Sequence, residues 1–295
     1  LGGRVLPPLS AADHQVRATG IGSSAISAIV GENPWANAHD VWQRKLNLVP
    51  PFPETNATRL GHDMEPIIGR WYTRDTGRIL RKGGGTKRHK DRSWQLCTID
   101  FGFAKGERRI VECKHVGHYA SAGWTMEADG APPYVQIQAQ WQMGVLGYER
   151  ADVAVIFGGN ADFRIYEYSF DATMFGHLTE LGRRFWENHV LAGKMPEIDH
   201  SDAARDSLRA VYGFNRAPLK DAPPEASEWI AKRIEADATI KSAEKAKALA
   251  TNKLCEFIGD ADGIRTETHY ATWKQTAAGT RSFRLAEFKK DRRAA

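Results

Sequence analysis

Gln95-Leu-Cys-Thr-Ile-Asp100, a short loop, and then Arg109-Ile-Val-Glu-Cys-Lys114 decide how this chain is read. Both flanks are apolar and partly β-branched, and the turn-forming Gly102 and Gly106 lie between them. The pattern predicts two neighbouring strands. Side chains two apart on a strand point the same way. Glu112 and Lys114 therefore share a face, and Asp100 can project beside them from the adjacent strand. Two carboxylates and an amine converging in this way make a seat for a divalent metal next to a charge-stabilising or proton-handling group. That chemistry suits metal-assisted hydrolysis, best of all of a phosphodiester. A solvated hairpin with alternating Glu and Lys would show the same spacing, so the surrounding sequence has to separate the two readings.

Just upstream, nine Lys or Arg residues fall between Arg70 and Arg92, opposed only by Asp75 and Asp91. Arg81, Lys82, Lys87 and Arg88 are the members closest to the candidate metal strands, and they are candidates for contact with a phosphate backbone. The whole chain of 295 residues carries a formal net charge of +5, which favours polyanionic partners weakly. Hydrophobic residues make up 42% and charged residues 26%, an ordinary globular composition with room for one large domain and an appendage. Cys97, Cys113 and Cys255 are scattered without a CxxC pair, which argues against a structural zinc or a cysteine-held iron–sulfur cluster and suits a reducing compartment. No apolar run reaches membrane-spanning length.

Further out, hydrophobic periodicity predicts helices near 23–30, 38–46, 58–73, 134–146 and 171–192, and a long charged one over 224–258. Ser23 or Ser24 is read as the cap of the first, and Pro66 as sitting in the opening turns of the third or kinking it. Strands are expected at 78–82, 94–100, 109–115, 152–157 and 163–170. Residues 1–13 read as a loose arm, Pro50–Pro53 as a linker, 193–222 as irregular, Gly263–Phe288 as a hairpin and 289–293 as a frayed basic tail. Helices alternating with strands imply an α/β arrangement in which helices flank a mixed sheet. The division expected is a core over 1–192 and an extension of irregular segment, long helix and hairpin over 193–295.

Three further groups bear on the chemistry. Glu65, in Gly61-His-Asp-Met-Glu65-Pro66, lies on the helix before the strands and can offer a third carboxylate to a second metal ion or a water, or simply an acid favoured near a helix N-terminus. Gln138 and Gln142 lie four apart on one face of their helix, where a Gln can orient a water or a phosphate oxygen. Arg17 precedes Ser24 by seven residues, a combination that can hold a phosphate through the hydroxyl, free backbone N–H groups and the guanidinium. Trp35 is read as a core aromatic, with contact to a base near a strand split as the alternative.

Taken together, these segments resemble the YqaJ-like viral recombinase family, which includes lambda exonuclease and belongs to the PD-(D/E)XK nuclease superfamily. The resemblance spans about residues 15–170. It is carried in order by Gly22-Ser-Ser-Ala-Ile-Ser27 with Gly31-Glu-Asn-Pro-Trp35, by Leu60-Gly-x-x-x-Glu65-Pro66, by Asp100 with Glu112-Cys-Lys114, and by Gln138-Ala-Gln-Trp-Gln-Met143. The resemblance implies a restriction-endonuclease-like mixed sheet and a 5′→3′ exonuclease on double-stranded DNA. Such an enzyme releases 5′-mononucleotides and leaves 3′ overhangs for a single-strand annealing protein in phage-type recombination. It further implies that Asp100, Glu112 and the Cys113 backbone carbonyl bind Mg2+ or Mn2+, with Glu65 assisting a second ion. Lys114 and Gln138 would position the attacking water or a phosphate, and Arg17, Ser24 and Thr98 would hold the 5′-phosphate. A ring-shaped homo-oligomer, most often a trimer, working in the cytoplasm of a bacterial host completes the expectation. The alternatives are an endonuclease of restriction or repair type on the same fold, and an inactive scaffold that binds DNA ends.

Overall fold

The computed structural model describes residues 11–50, 55–117, 121, 123–127, 130–158, 162–198, 200, 202–212, 219–276 and 279–288. The arm expected over 1–10, most of the linker at Pro50–Pro53 and the tail from 289 lie outside these residues. Residues 11–13, expected in the arm, instead open a helix, α1 (Ala11–Ala18).

Three helices follow: α2 (Ser23–Ile29), α3 (Ala38–Lys45) and α4 (Asn56–Thr76). The cap of α2 is Gly22 with no side-chain bond, so Ser23 and Ser24 are its first helical residues rather than its cap. In α3, Asn37 and Asp40 form a reciprocal capping box. In α4, Thr55 and Thr58 do the same, and Gly77 ends the helix at φ 69°, a conformation that costs glycine little. Pro66 lies in the middle of α4 and not in its first turns. It removes the backbone donor that would otherwise reach the His62 carbonyl.

The main sheet has the order β1 (Leu80–Lys82), β4 (Phe101–Phe103), β5 (Arg109–Val116), β6 (Arg150–Phe157), β7 (Asp162–Ser169). β5 and β6 run parallel and the other neighbours antiparallel, so the sheet is mixed. The strand expected over 94–100 is divided. β3 (Leu96–Cys97) pairs with β2 (Lys87–Arg88), and the chain then changes partners to enter β4. Asp100 stands at that change, outside both strands, and Gly102 lies within β4 opposite Ile110. The turn falls to Gly106, at φ 83°.

Between the parallel strands runs α5 (Pro133–Leu146). Alternation along β5 sorts the two faces of the sheet. Val111 and Cys113 pack with Ile68 and Tyr72 of α4, whereas Ile110 and Val116 pack with Val135, Ala139 and Met143 of α5. The far side of α5 is covered in turn: Trp141 clusters with Ile26 of α2 and with Phe175 and Leu178 of α6 (Ala172–Phe185). Apolar or not, a helix enclosed on both sides buries nearly every side chain, and Gln142 is 0% exposed. The helix expected over 171–192 is α6 continued by a π-helical stretch, Trp186–Leu191.

Within the segment expected to be irregular lies α7 (Asp202–Tyr212). By packing, the chain divides into Leu1–Asn215 and Arg216–Ala295. The second unit comprises α8 (Pro224–Ile258) and an antiparallel sheet of order β10 (Arg281–Glu287), β9 (His269–Gln275), β8 (Gly263–Arg265), three strands where a hairpin was expected. Arg281 ties this helix to its sheet: its guanidinium donates to the Gly259 and Ala261 carbonyls, both at 2.6 Å, while stacking 4.0 Å over Trp273.

Candidate active site

Continuing the β4–β5 register, in which Phe101 faces Val111, sets Asp100 opposite Glu112. Asp100 Oδ2 accepts a hydrogen bond from the Cys113 backbone N–H at 2.8 Å, which fixes the carboxylate against β5. Glu112 is 5% exposed, and each of its oxygens is held. Oε1 accepts from Lys114 Nζ at 2.9 Å and from Gln138 Nε2 at 2.5 Å; Oε2 accepts from Gln142 Nε2 at 2.8 Å. Gln138 closes the ring by accepting from Lys114 Nζ at 2.9 Å. The three residues brought together by sequence reasoning on the hairpin are thus together in the fold, and one turn of α5 above them supplies two amides.

Sequence reasoning paired Gln142 with Gln138 but assigned only Gln138 to the site. Gln142 Nε2 bridges Glu112 and the Thr98 carbonyl, at 3.0 Å from the latter, while Gln142 Oε1 is buried without a partner among the described residues. Rotating the amide would set that oxygen against two other oxygens, so the orphan is built in. A buried unpaired acceptor costs about 1–3 kcal/mol. The spacing Gln138–Gln142 was the available signal.

The electrostatics reflect crowded negative charge. Burial, and then the Glu112 and Glu65 carboxylates, push Asp100 well above the usual carboxylate range, against the Cys113 N–H and Lys114. Glu65 acts from α4, the helix on the other side of the sheet, and its Oε1 accepts from His62 Nδ1 at 2.9 Å. Burial works against the charge of Lys114, but Glu112 and Asp100 outweigh it and hold the ammonium above its ordinary value. In this arrangement Lys114 is a fixed positive charge and hydrogen-bond donor.

Could the site hold a metal? Among the described residues no three His, Cys, Asp or Glu side chains form a ready-made cage. The donor set is nonetheless one of hard oxygens: Asp100 just before β4, Glu112 on β5, and Glu65, whose charge reaches Asp100. Magnesium ordinarily takes only one or two carboxylates and completes its shell with water and substrate phosphate oxygens. The residues fit such an ion, and the repulsion from Glu112 and Glu65 that adds to burial in raising Asp100 is what a divalent cation would relieve.

Other candidates are placed separately. Thr98 is joined to the cluster through Gln142 and lies 3.3 Å from Thr86 by their hydroxyls. Arg17 ends α1, and its carbonyl accepts from Lys45 Nζ at 2.5 Å. Ser24 is exposed on α2. Arg81, Lys82 and Lys87 are exposed around the β1 edge, whereas Arg88 is committed to the Ser93 carbonyl and the Thr19 hydroxyl, each at 2.8 Å. Trp35, expected in the core, is 65% exposed and stands edge-on to Tyr134, 5.1 Å between ring centroids. Cys97, Cys113 and Cys255 are free thiols.

Comparison with known proteins bears on the same segment. Residues 14–149 match the model of the YqaJ-like viral recombinase domain. The protein YqaJ of Bacillus subtilis (strain 168) is 31% identical over 199 residues, which are 66% of this chain and 61% of that protein. The chain therefore spans about three-fifths of the length of this curated relative. Among solved structures, LHK-Exo in complex with dAMP superposes with a TM-score of 0.52 at 15% identity, over 63% of this chain and 94% of that one. The alkaline exonuclease LHK-Exo from Laribacter hongkongensis gives 0.51 at 14% identity over the same shares, 63% and 94%. At such identities the likeness is one of fold, a mixed sheet flanked by helices.

Proposed function

From the match of residues 14–149 to the YqaJ-like viral recombinase domain we propose that the chain is a metal-dependent exonuclease acting 5′→3′ on double-stranded DNA. The observation that carries the reading is the placement of Asp100, Glu112 and Lys114 around one point of the sheet, with Gln138 bonded to both Glu112 and Lys114. Hydrolysis joins a water oxygen to phosphorus and breaks the bond from phosphorus to the 3′ oxygen of the terminal nucleotide. A 5′-mononucleotide leaves, and the shortened strand keeps a 5′-phosphate, so each cycle regenerates the end that starts the next.

Each residue has a part in this scheme. Asp100 and Glu112, with the Cys113 carbonyl, hold Mg2+ or Mn2+, and Glu65 assists a second ion. When bound, such ions polarise the phosphoryl group and make water acidic enough to attack. Lys114, kept positive by Glu112 and Asp100, orients the attacking water and offsets charge growing on the phosphate. Gln138 keeps Lys114 and Glu112 in register. Arg17, Ser24 and Thr98 hold the 5′-phosphate. The exposed 3′ overhang is handed to a single-strand annealing protein, and a ring of subunits, a trimer in the simplest form, keeps the enzyme on its strand.

A linear duplex labelled at its 5′ ends, incubated with Mg2+ beside a covalently closed circle, tests the reading. Early appearance of labelled mononucleotide with the circle intact is the expected result. Cutting of the circle would make the chain an endonuclease, and binding of ends without cleavage would make it a scaffold.

A further inference from the structure

A second feature of the first unit stands apart from the carboxylates. A cleft of about 530 Å3 opens at the edge of the main sheet, walled by Arg81, Lys82, Lys87, Lys105, Arg108 and Arg109. Arg81 and Lys82 come from edge strand β1, Lys105 and Arg108 from the loop joining β4 to β5. Glu107 is the sole acid among the lining residues, and it is engaged by Arg109 at 3.2 Å. Arg109 is spent elsewhere too, on Asp152 at 2.7 Å and Glu167 at 3.0 Å. The other five cations are exposed, and among the described residues none forms an ion pair with an acid. Five uncompensated positive charges around one concavity repel one another and lower stability unless an anion occupies it.

Position narrows the choice of anion. Ile99, beside Asp100, lines the cleft, and the Gly83 N–H on its rim donates to the Asp100 carbonyl at 2.9 Å. Gly83 passes so close that a β-carbon there would sit 2.1 Å from the Ile99 carbonyl oxygen, so the rim and the Asp100 loop are held as one piece. From Arg109 at the cleft to Glu112 at the site is three residues of extended strand, roughly 10 Å. A duplex rises about 3.4 Å per nucleotide along its axis, and its phosphates wind around that axis as they climb, so a separation of this size takes in only the next phosphate or two of the strand. A single small anion does not need that many donors, whereas a run of phosphates does.

We propose that this cleft holds the sugar–phosphate backbone of the DNA within the first phosphates next to the bond being cut, with Lys105 and Arg108 of the β4–β5 loop as contacts alongside Arg81, Lys82 and Lys87. The proposal rests on the exonuclease reading for the identity of the polyanion. A competing role exists for Arg81 and Lys82, since charges on an edge strand block strand-to-strand aggregation. That role gives the loop residues Lys105 and Arg108 nothing to do with DNA.

Binding of a 5′-phosphorylated duplex to the full chain, followed by fluorescence anisotropy in EDTA over a range of salt, separates these. The variants are the loop pair Lys105→Ser with Arg108→Ser and the edge pair Arg81→Ser with Lys82→Ser. The exposed pair Lys232→Ser with Arg233→Ser on α8 removes the same charge elsewhere. Each cleft pair should bind about tenfold more weakly and flatten the slope of log affinity against log salt by about 2, near 0.9 for each phosphate no longer neutralised. The α8 pair should follow the parent. A loop pair with the parent's slope, or an equal fall in the α8 pair, overturns the proposal. A parent that digests linear DNA while the loop pair binds as it does sinks the cleft alone; a parent that neither binds nor digests DNA sinks the exonuclease reading with it.

Discussion

At the scale of single residues, what the fold adds to the sequence is constraint. Glu112 is caught by three nitrogen donors and Asp100 by a main-chain N–H. Both carboxylates are thus held in fixed orientations. The pairing of Glu112 with Lys114 was readable from their spacing alone, because alternation on a strand needs no tertiary information. The exposure of Trp35 was not readable, because a large aromatic defaults to the interior and only the packed chain shows where the interior ends. Lys45 was equally invisible. Burial, and next the positive charge of Arg17, lower its pKa to about 8. A lysine whose folded pKa lies below its unfolded value binds a proton less readily when folded. Its contribution therefore destabilises the fold below about pH 8 and is relieved as pH rises toward the ordinary lysine value. An NMR titration following the Lys45 Cε resonance should show a midpoint near 8, with stability rising from there to about pH 10.4. A midpoint at the ordinary lysine value would refute the burial described here.

At the scale of elements, the helices with a clear apolar stripe between capping residues were legible, and α5 and α8 were read nearly to the residue. The misses have physical causes. The strand expected over 94–100 is a segment that changes partners at Asp100, and hydrophobic pattern does not reveal which neighbour a strand chooses. α7 hides between Pro196 and Pro218, which mark the ends of an irregular stretch without forbidding a helix inside it. Packing is close where α5 meets α6. A β-carbon at Gly144 would come within 2.3 Å of the Phe175 ring. That ring has little room to move, being wedged against Trp141 and Phe170 at 5.8 and 5.6 Å between centroids. Alanine gains about 1 kcal/mol of helix propensity over glycine, but overpacking a rigid core costs about 1–3 kcal/mol and more when backbone must shift. Gly144→Ala should therefore lower the melting temperature by several degrees, and, because α5 carries Gln138 and Gln142, should slow nucleotide release at temperatures where the protein is still folded. An unchanged melting curve would show that α6 yields more easily than its packing suggests.

At the scale of the whole molecule, the first unit supplies both the carboxylate cluster and the basic cleft, and its three hydrophobic clusters draw only on residues between Ile21 and Val190. No described helix is long and apolar enough to cross a membrane. The second unit is a long helix on a small sheet, with Trp229, Ile234 and Phe257 of α8 exposed. The central question is whether the cluster at Asp100, Glu112 and Lys114 cuts DNA. The direct measurement is the rate at which Mg2+-supplied protein releases mononucleotides from a linear duplex, for the parent chain and for Glu112→Gln and Lys114→Ala, each shown to be folded by its thermal transition. The parent should release nucleotides and EDTA should stop it, and each variant should lose about 100-fold or more. Undiminished release from both variants would contradict the assignment.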